Sequence, residues 1–369
     1  LSTDFVVMNE KREREPRRLS WGARLGLIFF GLLLTCVMLE VGLRIFSSIK
    51  AGQAHKAADG SLLPPGEYWA IYEPELGYRQ NPRFGDLNPD GLRDYPIGPK
   101  EGRFRLLFLG DSIAVYGDSR DDTFVGKLRA DLGQRPEGKR LDIINAGIRG
   151  YTNYQELLYL KKYGLKFQPD LVGLQFCLND LHRFLHSFRV EDGRIVPGSY
   201  VFSSEALNDQ RNRPTPLLER SYLWLWMKNR VPIASKAAVW IANDGFSFDY
   251  QADIGRAWQD KAWNDIESQL GEMVDLGYRH HFRVFVVIVP VAAQYNHGYL
   301  KRDRDYVLKP QRKLGEICER LGIVFYDLYP DLNASHFLET DGIHLTKEGR
   351  EVVGRRLADF LSQSQLLPK

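Results

Sequence analysis

The sequence predicts a three-layer α/β/α domain on a five-stranded parallel sheet, carried behind an N-terminal transmembrane helix. Two patterns predict the domain. Five strand-length runs are almost wholly apolar, and segments of helical period separate them. Strands that are apolar throughout, rather than in alternation, are buried on both faces, and the intervening helices supply the crossovers that parallel neighbours need. A third pattern, an uncharged stretch beside a basic run, sets the first helix apart from the rest.

The basic run is "KREREPRR" at residues 11–18, within a tail over residues 1–20. Residues 25–39, "LGLIFFGLLLTCVML", carry no charge. That alone falls short of the roughly 18–20 residues that cross a bilayer, but the stretch continues as "EVGLRIF" to Phe46. Glu40 and Arg44 stand four apart and can pair on one helix face, and Arg44 can snorkel to the interface. Residues 21–46 therefore read as a membrane anchor. A cleaved signal peptide and a buried globular helix are the competing readings, and no small-x-small cleavage site follows the run. The anchor is kept whether the chain begins at Met8 or earlier. Basic residues on its N-terminal flank place that end in the cytoplasm and the bulk of the chain outside, periplasmic or at the cell surface.

Residues 47–102 read as a linker and lead-in. "AGQAHKAADGSLLPPGE" is small, polar and punctuated by Pro and Gly. The turn-rich stretch after it carries Tyr78, Phe84 and Leu92 and is expected to lie against the domain. The domain itself spans residues 103–365. Its strands are expected at 104–109, 141–145, 171–177, 283–289 and 323–327, and its helices at 122–133, 153–163, 254–276, 305–321 and 346–363. One interval breaks the alternation. Residues 181–253 are dense in aromatics and read as an insertion beside the site: a lid, a lipid-facing surface or a small packed subdomain. With 44% hydrophobic and 26% charged residues the chain has the composition of a globular protein. Its net charge of +3 gives no case for a nucleic-acid partner.

Chemistry-bearing residues gather at the predicted strand ends, where open sheets of this kind place their sites. The first strand runs into Gly110-Asp111-Ser112, the second into Asn145-Ala146-Gly147 and the third into Asn179-Asp180. Just before the last helix comes "ETDGIHLTKEG", with Asp341 three residues ahead of His344. Acyl transfer needs a nucleophile, a base, a group that orients the base, and donors for the oxyanion. Ser112 can attack, His344 can take its proton, and Asp341 can hold the imidazole tautomer. The backbone N–H groups of Ser112 and Gly147 and the side-chain amide of Asn179 can converge on an oxyanion. A missing Cβ lets the Gly147 backbone come close. Asp111 is expected to support the turn through hydrogen bonds, and Asp180 to be structural.

These blocks, GDS at 110–112, Gly147 in "INAGI", Asn179 in "LND" and DGIH at 341–344, resemble the SGNH (GDSL-type) hydrolase superfamily over roughly residues 103–365. The resemblance implies a flavodoxin-like sheet and an esterase, lipase, carbohydrate acetylesterase or acyltransferase activity. One block departs from the pattern. Where the family reads G-x-N-D, this chain has Cys177-Leu178-Asn179-Asp180, so a side chain stands beside the oxyanion donor and either narrows the pocket or is absorbed by packing.

No cofactor is expected, since no P-loop, dinucleotide fingerprint or zinc motif occurs. Ala114 stands where a G-x-S-x-G elbow would need its second Gly. His182 and His186 could share a helix face but lack a third ligand, so no metal is expected. Cys36 lies in the apolar span. Cys177 and Cys318 read as buried thiols, with a bridge between them left open. The expected function is serine esterase action on acyl esters, acetyl esters of an envelope polysaccharide first and lipid esters second. Two alternatives stand beside it: an O-acyltransferase on the same triad, and a catalytically silent glycan-binding module.

Overall fold

The computed structural model describes residues 20–52, 69–135, 140–188, 190–195, 201–202, 221–224, 227, 246–250 and 253–368. The basic tail up to residue 19, the linker at 53–68 and most of the expected insertion lie outside the described residues.

Helix α1, Trp21–Gly52, is apolar on every side. Within Trp21–Phe46 its most apolar 18-residue window has a mean hydropathy of 2.2, and none of that window is buried against the protein. The body begins with a hairpin, β1 Ala70–Glu73 and β2 Gly77–Gln80, turned at Gly77 with φ +83°. Tyr78 and Leu92 from this lead-in are fully buried in the core.

Then comes the α/β alternation: β3 Phe104–Gly110, the one-turn α2 Ser112–Val115, α3 Phe124–Gly133, β4 Leu141–Gly147, α4 Asn153–Lys162 and β5 Leu171–Phe176. After the insertion follow α5 Trp263–His280, β6 Arg283–Ile288, α6 His297–Val307, α7 Lys309–Leu321, β7 Val324–Asp327 and α8 Lys347–Gln363. All five expected strands form. The helix expected over 254–276 starts as 3-10 turns at Gly255–Trp258 and Asp260–Ala262, and regular helix begins at Trp263. The one expected over 305–321 is two helices. Pro310 has no N–H to give to a continuing helix and stands in the first turn of α7.

The strands β7-β6-β5-β3-β4 pair in that order, all parallel. Two buried clusters cover the two faces. One takes Leu107, Leu109, Leu174 and Phe176 with apolar residues of α4, α5 and α7. The other takes Leu106, Phe108, Phe285 and Val287 with those of α3 and α8. Alternate side chains of one strand therefore enter different cores, which is why the runs are apolar without a period of two. From β3 the chain winds outward to β4, and from β5 it winds the opposite way to β6 and β7. The order reverses between β3 and β5, and a crevice opens there beyond their carboxyl ends.

Cys177 lies in the second cluster and Cys318 in the first, both buried and both free. The sheet separates them, so the bridge left open by the sequence does not form.

Candidate active site

The last residue of β3, Gly110, has no room for a side chain: a Cβ there would sit 2.6 Å from Gln175 Oε1 and 2.9 Å from Ala114 Cβ. Asp111, fully buried, caps α2. Its Oδ1 accepts the Ile113 N–H at 2.8 Å, and its own N–H donates to Gln175 Oε1 at 3.2 Å. Ser112 is thus the first residue of a helical turn, half-buried at the crevice between β3 and β5. Among the described residues no hydrogen bond engages its N–H, as expected for a first-turn amide.

The facing loop is shaped by its own backbone. Leu338 N–H donates to the His344 carbonyl and Gly342 N–H to the Leu338 carbonyl, each at 2.8 Å. Gly342 turns the chain at φ +66°. Asp341 Oδ1 accepts the N–H groups of Ile343 (2.8 Å) and His344 (2.9 Å), and its Oδ2 meets His344 Nδ1 at 2.9 Å. The other ring nitrogen, His344 Nε2, lies 2.9 Å from Ser112 Oγ. Burial pushes the Asp341 carboxyl up, but the two backbone N–H groups and the imidazole outweigh it and hold the carboxyl below its ordinary value. Ser112, Asp341 and His344, 232 positions apart at the extremes, form one hydrogen-bonded chain.

Two residues that the sequence did not single out hold this chain in place. The Tyr116 ring lies 4.8 Å from the His344 ring at 33°, and the Arg350 guanidinium stands 5.7 Å from the Tyr116 centroid. Arg350, buried in the first turn of α8, donates to the Leu345 carbonyl (2.8 Å), to the Asp122 carbonyl (2.7 Å) and to the Asp122 carboxylate. Tyr116 is four residues past Ser112, which was the available signal. Arg350 offered none, since "KEGR" opens an ordinary amphipathic helix.

The expected oxyanion donors fare differently. Asn179 is buried just beyond β5. Gly147 departs from expectation: its N–H donates to Asn145 Oδ1 at 3.1 Å and does not stand free. Lack of space for a Cβ explains this glycine, with Ala114 Cβ at 2.7 Å and Val115 Cγ1 at 3.1 Å. The Cys177 side chain packs wholly inside the core on the α3/α8 side, so it does not narrow the site. Its burial, with Asp111 and Asp180 nearby, pushes the thiol well up. His182 and His186 are not on a helix; His182 Nε2 meets the Asp253 carbonyl at 3.0 Å.

Beneath Ser112 lie three buried carboxyls. Asp180 Oδ2 accepts the Cys177 N–H at 2.7 Å, confirming a structural place for it. Neither Glu156 oxygen has a hydrogen-bond partner among the described residues. Burial raises the carboxyls of Asp111, Glu156 and Asp180, and the charge of Asp111 pushes the other two further up.

A family model described as the GDSL-like lipase/acylhydrolase family matches residues 108–352, well over half of the 369-residue chain. The chain belongs to that family. This GDSL-like hydrolase is a serine ester hydrolase by membership. No curated protein matches it. Solved structures similar to it include TesA, at 15% identity over 70% of this chain and 97% of that one, with a TM-score of 0.41. A lipase/acylhydrolase from Enterococcus faecalis has 15% identity over 72% and 97%, with a TM-score of 0.38. A mutant acetyl-xylooligosaccharide esterase from Geobacillus Stearmophilus has 14% identity over 73% and 100%, with a TM-score of 0.42.

Proposed function

We propose that Ser112, His344 and Asp341 are the catalytic triad of this hydrolase, and that its substrates are acyl esters, first among them acetyl esters of an envelope polysaccharide. The observation that carries the triad is the unbroken contact from Ser112 Oγ through both imidazole nitrogens to Asp341 Oδ2, 2.9 Å at each step. Ser112 Oγ attacks the ester carbonyl carbon while its proton passes to His344 Nε2. The tetrahedral oxyanion is met by the Ser112 N–H and the Asn179 side-chain amide. Collapse breaks the bond to the alcohol, which leaves with the proton from His344. Water then attacks the acyl-serine carbonyl carbon and gives its proton to the same nitrogen; collapse breaks the acyl–Oγ bond, His344 returns the proton to Ser112 Oγ, and the acid leaves. Asp341 keeps the imidazole in the tautomer that accepts at Nε2 and balances its charge when protonated.

The place of action follows from α1. A helix of this hydropathy with no buried side fits a bilayer, and the basic residues before it hold the N-terminus in the cytoplasm. The catalytic domain then works outside the cytoplasm, tethered near envelope glycans and lipids.

Labelling by a fluorophosphonate probe, with turnover of p-nitrophenyl esters of graded chain length, tests this reading. Wild type should label and turn over, and Ser112→Ala should do neither while keeping its Tm. Turnover retained in Ser112→Ala would sink the assignment. Product analysis with and without a glycan acceptor separates hydrolysis from acyl transfer.

A further inference from the structure

α1 carries one carboxylate in its apolar span, and that carboxylate is fully occupied. Glu40 Oε2 accepts from Ser221 Oγ and from the Leu223 N–H, each at 2.8 Å, and Glu40 Oε1 accepts the Tyr222 N–H at 3.1 Å. Arg44 Nε donates to Glu40 Oε1 at 2.7 Å, and its guanidinium lies 5.2 Å from the Tyr222 ring centroid. Glu40 therefore caps the helical residues 222–224, and Ser221 Oγ takes the Trp224 N–H at 3.1 Å. An ionisable residue in a membrane span is costly unless partnered within the protein; here the partner is the insertion.

The depth of this contact follows from helix geometry. Glu40 comes about 29 Å along the axis from Trp21 at 1.5 Å per residue, and the hydrocarbon layer is about 30 Å thick. With the N-terminus inside, the contact falls at the outer edge of the layer. Trp224 and Met227 are both exposed, as are most of the apolar side chains of α1. Trp is enriched at that level because its ring is apolar and its N–H needs a polar partner.

We infer that residues 221–224 and 227 of the insertion are a second membrane contact, docked on α1 through Glu40 and facing the outer leaflet of the bilayer. This rests on the reading of α1 as an anchor. It also bears on the substrate. The insertion leaves the fold directly after Asn179, and its two roots are tied together where Arg256 Nε donates to the Leu181 carbonyl at 2.8 Å and His182 meets Asp253. The oxyanion side of the site and the bilayer contact share one stretch of chain, which favours esters presented at the membrane surface.

The full chain, with Cys36→Ser and Met227→Cys, is labelled with an NBD fluorophore and reconstituted into phosphatidylethanolamine/phosphatidylglycerol vesicles with or without doxyl-lipid quenchers. Cys177 and Cys318 are buried and stay unlabelled. The label at 227 should show blue-shifted emission and lose intensity to a shallow quencher, and Glu40→Ala should reverse both changes. A Tyr278→Cys label, on the exposed end of α5, should stay water-like. Vesicle flotation with an unquenched 227 label, or equal quenching at 278, would overturn the docking alone. Failure to float would overturn the anchor and the docking together.

Discussion

Each side chain of the site owes its competence to a local constraint. Asp111 fixes the turn that presents Ser112, Asp341 orients His344 through three hydrogen bonds, and the Tyr116 ring lies along the imidazole face. Asn179 is the proposed donor whose loss should tell most directly, because a single oxyanion contact is worth about 2.7–4 kcal/mol in the transition state. Asn179→Ala is expected to lower kcat by about 10²–10³ with KM little changed. An unchanged kcat in steady-state assays would remove Asn179 from the oxyanion hole. At Gly147 the N–H donates to Asn145 Oδ1, and there is no room for a Cβ. A Cβ at Gly150 would overlap the His186 ring, and its φ of +75° already favours glycine, so that position too is set by space and backbone.

Among the elements, the junction of α3 and α8 braces the loop that carries His344. Thr346 caps α8, accepting the Gly349 N–H at 3.2 Å, two residues after His344. Arg350 ties that first turn to the loop before α3. Both it and Asp122 are largely shielded from water, so removing one partner strands the other. Arg350→Ala should cost about 3–5 kcal/mol in urea unfolding. It should also lower kcat, because the His344 loop loses its tie to Asp122. Arg350→Lys should rescue little, since a single ammonium cannot serve three acceptors in a planar fork. Wild-type stability in Arg350→Ala would refute the role.

Across the protein, buried titratable groups set opposite limits on stability. His186, buried and near Arg149, has its pKa lowered from 6.5 to about 4. A depressed native pKa contributes stability that is full above the unfolded value and is lost as pH falls through the native one. The loss therefore runs from about pH 6.5 to about 4 and is on the order of 3 kcal/mol. Glu156 is raised by burial and by Asp111, so its contribution is full below the ordinary Glu pKa and declines as pH rises past it. Between the ordinary Glu value of 4.5 and the ordinary His value of 6.5 the two trends oppose each other. Tm measured from about pH 4 to about 9 should show His186→Gln flattening the acid side. Glu156→Gln should raise Tm at neutral pH more than at mildly acidic pH; equal gains at both would mean that Glu156 is not held neutral.

Much of this was legible in the chain before folding. A strand buried on both faces must be apolar throughout, so β3 to β7 stood out as runs. A base and its orienting acid three residues apart can share one loop, so Asp341 and His344 stood out as a pair. What could not be read is pairing between distant segments. Which core receives Cys177 depends on the parity of its strand position. Whether the Gly147 N–H is free depends on where the Asn145 side chain turns. Arg350 with Asp122, and Glu40 with residues 221–223, are contacts over more than 180 positions. Local propensity carries no trace of them, because the energy of a hydrogen bond or ion pair depends on which groups the finished fold brings within about 3 Å of each other.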